Sequence, residues 1–112
     1  MVETVLKPWG REEIWAHTDK YVGKILYINA GEQLSLQYHN VKDETIMVMS
    51  GTLMLQIGED NYTLCVGETY HIAPKIIHRM KATTDCKIME VSTPELDDVV
   101  RLEDSYGRVD GT

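Results

Sequence analysis

The stretch Gly31-Glu32-Gln33-Leu34-Ser35-Leu36-Gln37-Tyr38-His39-Asn40-Val41-Lys42-Asp43-Glu44 decides how the chain is read. Ala30-Gly31-Glu32 has turn chemistry, and Leu34 to His39 alternates between apolar and polar residues as a strand does. Side chains two apart on a strand share a face, so Ser35, Gln37 and His39 point the same way. Glu44 follows after a short turn, at the mouth of the next strand. If this face lines the inside of a barrel, Gln37, His39 and Glu44 reach one central point.

The same rhythm runs outward in both directions. Tyr21 to Asn29 alternates before this stretch. After it come an apolar strand, Thr45 to Ser50, closed by Gly51, and an alternating strand, Thr52 to Ile57. Gly58-Glu59-Asp60-Asn61 reads as a hairpin turn into Tyr62 to Cys65, and Gly67-Glu68 as the next turn. Tyr70 to Ile72, His78 to Ala82 and Cys86 to Ser92 complete the set. Turn signals fall about every ten residues, the spacing of an all-β sandwich or barrel. The one helical candidate is Pro94 to Val100, where Thr93 can cap and Pro94 suits the first turn; a structureless acidic tail is the alternative. No repeat or linker interrupts the pattern, so residues 1–112 read as a single domain.

Composition narrows the function. Hydrophobic residues make up 43% of the chain, enough for a buried core without staples. A net charge of −7 repels phosphate backbones, so nucleic acid is not an expected partner. A small phosphorylated ligand stays possible, because a basic pocket can sit inside an acidic surface. No apolar run is long enough to cross a membrane as a helix. The start, with an acid at Glu3 and no apolar core, does not read as a secretory signal. Cys65 and Cys86 have no metal-site or paired spacing and read as free buried thiols, so the expected compartment is the cytoplasm.

Four histidines occur, His17, His39, His71 and His78. His17 lies in a polar loop beside Thr18 and Asp19 and reads as solvated. His71 is out of phase with Tyr70 and Ile72 and reads as outward facing. His78 follows the Ala73-Pro74-Lys75 turn, and a barrel can bring it beside His39. Two histidines, a glutamate and a neutral amide oxygen form an N/O set suited to Zn2+, Fe2+, Mn2+ or Ni2+. The set has no thiolate and leaves positions open for substrate, as a Lewis-acid catalyst requires.

The spacing Gly31-(x7)-His39-x-Val41-(x2)-Glu44-(x6)-Gly51 resembles the first motif of the cupins. Val41 stands where their second histidine usually sits. Gly67-(x6)-Pro74-(x3)-His78 resembles their second motif, with Lys75 at the usual glycine. A narrower resemblance rests on Lys7-Pro8-Trp9-Gly10, Leu34 to His39, Val48-Met49-Ser50-Gly51-Thr52, His78-Arg79-Met80 and the ending Asp97 to Arg108. Together these resemble the type II mannose-6-phosphate isomerase cupin. That domain is the C-terminal part of bifunctional mannose-1-phosphate guanylyltransferase/mannose-6-phosphate isomerases.

The resemblance implies an RmlC-like jelly-roll, a double-stranded β-helix barrel. It also implies a divalent metal on Gln37, His39, Glu44 and His78. Where the family reads Gln-x-His-x-His-Arg-x-Glu-His, this chain has Val41, Lys42 and Thr45 at the second histidine, the arginine and the last histidine. Lys42 and Thr45 are expected at the pocket mouth.

The implied reaction is aldose–ketose isomerisation of a phosphorylated hexose. It needs a base, an electrophile and a phosphate anchor. Lys24, Arg79, Arg101 and Arg108 are the candidate phosphate or sugar contacts, arginine suiting phosphate by bidentate donation. Lys24 shares a strand face with Leu26 and Ile28, so on an inward face it would need a partner or a function. Glu44, Lys24 and Arg101 are the catalytic candidates; as base, Glu44 and a metal-bound hydroxide both fit. The alternatives are a sugar-binding barrel without catalysis or with another specificity, and a small Fe2+ oxygenase, because one fold hosts many chemistries. A homodimer through an edge strand is expected, since an open edge exposes unpaired backbone groups.

Overall fold

A computed structural model describes residues 2–108. Among them are eleven strands and no helix. They are β1 (Glu3–Lys7), β2 (Gly10–His17), β3 (Val22–Ile28), β4 (Leu36–Tyr38), β5 (Glu44–Ser50), β6 (Leu53–Ile57), β7 (Asp60–Leu64), β8 (Thr69–Ile72), β9 (His78–Ala82), β10 (Cys86–Ser92) and β11 (Val100–Glu103). One sheet runs β1-β2-β3-β10-β5-β8 and the other β11-β4-β9-β6-β7, with every pairing antiparallel. These two facing sheets form the double-stranded β-helix that the motifs imply.

Alternation puts one face of each strand inside. On β3 the buried residues are Val22, Lys24, Leu26 and Ile28, together with Gly23; on β10 they are Cys86, Ile88, Glu90 and Ser92. β5 contributes Glu44, Ile46 and Val48, and β9 contributes His78, Met80 and Ala82. The apolar members other than Val22 interlock with Leu53, Leu55 and Ile72 in one core. Each such side chain, fully buried, stabilises the fold by about 1.5–3 kcal/mol. The polar members collect toward one end of the barrel. There Glu44 is opposite Ser92, Glu90 is opposite both Lys24 and Ile46, and Gln37 is opposite His78. The site is therefore built into rigid strands, with apolar packing beneath it.

Gly51, the last residue of the first motif, has φ 85°, and an added Cβ would lie 2.1 Å from the Asp85 carbonyl oxygen. Only glycine fits that approach. Lys75 takes φ 72°, the left-handed conformation that glycine adopts most readily.

Several sequence readings change. The tail is neither helical nor structureless: after turns at Pro94–Val99 it enters β11, which pairs with β4. β4 would otherwise be an open three-residue edge, and covering it outweighs the local helix signals. β4 itself is shorter than Leu34–His39. The hairpin of β1 and β2 has no counterpart in the sequence reading, and the Lys7-Pro8-Trp9-Gly10 motif forms its turn, with Trp9 buried. Cys65 is exposed, because it follows the inward Leu64; Cys86 is buried, and both are free. His71 is outward, as its phase indicates, and meets Asp43 at 2.6 Å. His17 is exposed.

Candidate metal centre and cavity

His39, Glu44 and His78 converge at the polar end of the barrel. One ligand atom from each lies within 4.8 Å of the others, and all three residues are buried. Strand order explains the meeting. Glu44 opens β5, His78 opens β9, and His39 ends the run that includes β4. Glu44 Oε1 is 3.0 Å from His39 Nε2 and 3.4 Å from His78 Nε2.

The outer nitrogens fix the tautomers. His39 Nδ1 donates to the Asp98 carbonyl oxygen at 2.6 Å, and His78 Nδ1 donates to the Ile76 carbonyl oxygen at 2.9 Å. Backbone carbonyls only accept, so each Nδ1 carries a proton and each Nε2 faces inward, that of His39 within hydrogen-bond distance of the Glu44 carboxylate. This is how metal-ligating histidines are held. His78 Nε2 has no hydrogen-bond partner although it is buried, and neither has Glu44 Oε2. A buried nitrogen without a hydrogen-bond partner is costly unless something joins it, and Glu44 Oε2 has only the Lys42 ammonium, at 3.6 Å. Two imidazole lone pairs and a carboxylate are a suitable donor set for a divalent ion, so the residues fit such an ion. Gln37 lines the same cavity, opposite His78 in register, and its Oε1 accepts from Ser35 Oγ at 3.0 Å.

The cavity above the triad has a volume of about 90 Å3. Its cations are Lys7, Lys24, Lys42, Arg101 and Arg108; its carboxylates are Glu12, Glu44 and Glu90. The surplus is positive inside a chain of net charge −7. Lys24 has the partner that an inward lysine needs, Glu12 at 3.4 Å. Arg101 lies opposite Gln37, and its Nε is buried without a partner. Arg108 is tied to Asp104 at 2.8 Å. Burial lowers the Lys7 ammonium from its ordinary value; Glu12 opposes this, while Lys24, Arg101 and Arg108 add to it.

Of the four cations expected to contact substrate, the structure brings together Lys24, Arg101 and Arg108. Arg79 is separated from them. It lies on the outer face of β9, between inward His78 and Met80, and its guanidinium donates to the Leu34 and Glu103 carbonyls at 3.0 Å each. Lys42 and Thr45 also part company. Lys42 turns inward and is buried. Thr45 faces out opposite His71, and Val41 is exposed.

Lys42 was not expected in the cavity, and it organises the charges there. Its Nζ lies 3.2 Å from Glu90 Oε2 and 3.6 Å from Glu44 Oε2. Burial alone would lower this ammonium, but Glu90 and Glu44 outweigh it and hold it above its ordinary value. Burial would likewise raise Glu44, yet the two histidines and Lys42 keep it well below the usual carboxylate range. Glu90 goes the other way: burial, reinforced by Glu44 and opposed by Lys42 and Lys24, raises it from 4.5 to about 7. Its place was readable, since it alternates with Ile88 on β10. Lys42 and Lys7 sit at turns and strand ends, where no period marks them.

Glu90 gives a testable slope. Its folded value lies above its unfolded one, so the folded state holds more protons between pH 4.5 and about 7. The stability from that proton is present at low pH and lost as pH rises through this window. Wild-type unfolding free energy should therefore fall with pH relative to Glu90→Gln, by up to about 1.4 kcal/mol per pH unit. Urea unfolding at several pH values checks it; parallel curves for the two proteins would refute it.

The sequence matches the family described as mannose-6-phosphate isomerase C-terminal, over residues 1–104. The chain belongs to this family. Among relatives of the isomerase C-terminal domain, mannose-1-phosphate guanylyltransferase of Escherichia coli (strain K12) is 34% identical over 110 residues, covering 94% of this chain and 23% of the relative. Xanthan biosynthesis protein XanB of Xanthomonas campestris pv. campestris (strain ATCC 33913) is 31% identical over 109 residues, 93% of this chain and 23% of the relative. The chain thus spans about a quarter of the length of these relatives. Among solved structures, an RmlC-like cupin from Shewanella frigidimarina superposes with TM-score 0.77 at 11% identity, covering 87% of each chain. KdgF from Halomonas gives 0.75 at 16% identity, covering 87% of this chain and 88% of that one. At such identities these two likenesses speak for the cupin fold alone. No helix among the described residues is long and apolar enough to cross a membrane.

Proposed function

We propose that the chain is a metal-dependent isomerase that interconverts mannose 6-phosphate and fructose 6-phosphate, working in the cytoplasm. The observation that carries the reading is a buried His39–Glu44–His78 donor set, with His78 Nε2 lacking a hydrogen-bond partner, whose His39 and Glu44 line a cavity that also holds a surplus of cations. The family match supports the same chemistry.

His39, Glu44 and His78 would hold the ion, with Gln37 beside them. When bound, it supplies Lewis acidity, drawing electron density from a substrate oxygen and so acidifying the adjacent C–H. The other roles fall to the chain's own residues. Arg101, Arg108 and Lys7 hold the phosphate; Arg101 brings a buried N–H with no other partner. Lys24, braced by Glu12, faces the sugar hydroxyls. Glu44 is a poor base, because its neighbours keep it ionised at low pH. Glu90, near 7, is matched to moving a proton between C1 and C2 at neutral pH. The cavity of about 90 Å3 is smaller than ordinary ligand pockets of about 300 Å3 or more. It therefore encloses the reacting end of an open-chain sugar, and the phosphate stays at the mouth.

A second reading, a sugar-binding barrel without turnover, is favoured by Lys42, whose ammonium lies 3.6 Å from Glu44 and would compete with an ion for its carboxylate. The experiment is direct. Protein is incubated with mannose 6-phosphate and Zn2+, Mn2+, Fe2+ or Ni2+ in turn, and fructose 6-phosphate is measured. Product with at least one ion is expected. Substrate binding without product under every ion would select the second reading.

A further inference from the structure

Asp98 lies in the ending motif, where the resemblance gave it no role, and it touches the candidate centre in two ways at once. Its backbone carbonyl accepts the His39 Nδ1 proton at 2.6 Å. Its carboxylate accepts three successive backbone N–H groups, from Asn40 at 3.0 Å, Val41 at 2.7 Å and Lys42 at 2.9 Å. Those three residues begin the turn that leads from His39 to Glu44. The N–H groups of Lys42 and Val41 hold the Asp98 carboxyl down at about 2. One residue, more than fifty positions away in sequence, thus grips the connection between two ligands and sets the tautomer of one of them.

We infer that Asp98 is a positioning residue for the metal centre, through which the Pro94–Val99 segment sets metal affinity. This rests on the reading of His39, Glu44 and His78 as ligands. The carboxylate locks residues 40–42, and the locked turn aims His39 Nε2 and Glu44 Oε1 at one point. The same lock seats Lys42, whose ammonium reaches Glu44 and Glu90. The Asp98 side chain helps keep its carbonyl on His39 Nδ1, together with the Thr93–Asp43 bonds before it and the β11–β4 pairing after it. Leu96 and Val99, on either side, line the cavity wall. A merely structural role would look different. Asn40 and Val41 are exposed, so water can take their N–H groups when the carboxylate is removed. The buried Lys42 N–H loses its acceptor, so the metal-free fold loses some stability, and the aim of the ligands is lost besides.

The test measures Zn2+ affinity by competition with a chromophoric chelator, the visible spectrum of the Co2+ protein, and the melting midpoint of the metal-free protein. Wild type, Asp98→Ala, Asp98→Asn and the control Asp97→Asn are compared well below their melting points. Loss of an orienting partner of a ligand costs about 10- to 100-fold in metal affinity. Asp98→Ala should show that loss with an altered Co2+ spectrum. Asp98→Asn, which keeps one acceptor oxygen, should lie between it and wild type, and Asp97→Asn should match wild type. If the alanine variant does not fold, the asparagine variant decides. Variants that bind Zn2+ as wild type does, with the wild-type Co2+ spectrum, overturn the inference whatever their melting points. Wild type that binds neither ion removes the ligand reading, and the inference falls with it.

Discussion

His78→Ala is expected to weaken divalent metal binding by more than about 100-fold and to abolish measurable isomerase activity. His78 is completely buried, its Nδ1 is fixed on the Ile76 carbonyl, and its Nε2 faces Glu44 with no hydrogen-bond partner. Losing a group that only orients a ligand costs about 10- to 100-fold, so losing a ligand costs more. The substitution also opens space in the barrel, so His78→Gln, which keeps most of the volume, is the companion variant. Isothermal titration of Zn2+ or Mn2+ into each chelator-stripped protein reads the effect. Wild-type affinity in a folded His78→Gln protein would remove His78 from the ligand set.

The second large effect belongs to Lys42. Lys42→Met should destabilise the metal-free protein by about 3 kcal/mol at pH 8, because removing one partner of a buried ion pair leaves its charge uncompensated. Here two carboxylates, Glu44 and Glu90, would be left facing each other with side-chain exposures of 1% and 5%. One of them must then take up a proton. The loss should therefore shrink toward pH 5, the direction in which Glu90 already leans. Lys42→Arg keeps the charge and should recover most of the stability. Urea unfolding at the two pH values separates the outcomes; a Lys42→Met protein as stable as wild type at pH 8 would show that the ammonium does not hold the carboxylates.

The barrel was legible because its strands obey a period of two. β3, β5, β9 and β10 lie within a residue or two of where alternation puts them, and the same phase places Ser35, His39 and His78 inside. Lys24 was readable for the same reason, and so was the outward turn of His71. What the sequence hid is set by long-range contact. β11 forms because β4 needs a partner, a fact that no local propensity carries. Lys42 enters the cavity from a turn that Asp98 holds, and the two are more than fifty residues apart. Arg79 sits beside a ligand in sequence, yet neighbours on a strand face opposite ways, so adjacency to His78 takes it out of the cavity. The pairing of Glu90 with Lys42 joins a strand to a turn, and only the closed barrel reveals it.

The most direct test of the account is activity on mannose 6-phosphate before and after complete removal of divalent metal. The protein is stripped with chelator, dialysed, verified by elemental analysis and assayed for fructose 6-phosphate, then assayed again after stoichiometric addition of one divalent ion. The account predicts that conversion disappears in the stripped protein and returns with the ion, in wild type but not in His78→Gln. Full conversion by protein verified to be free of metal would contradict it.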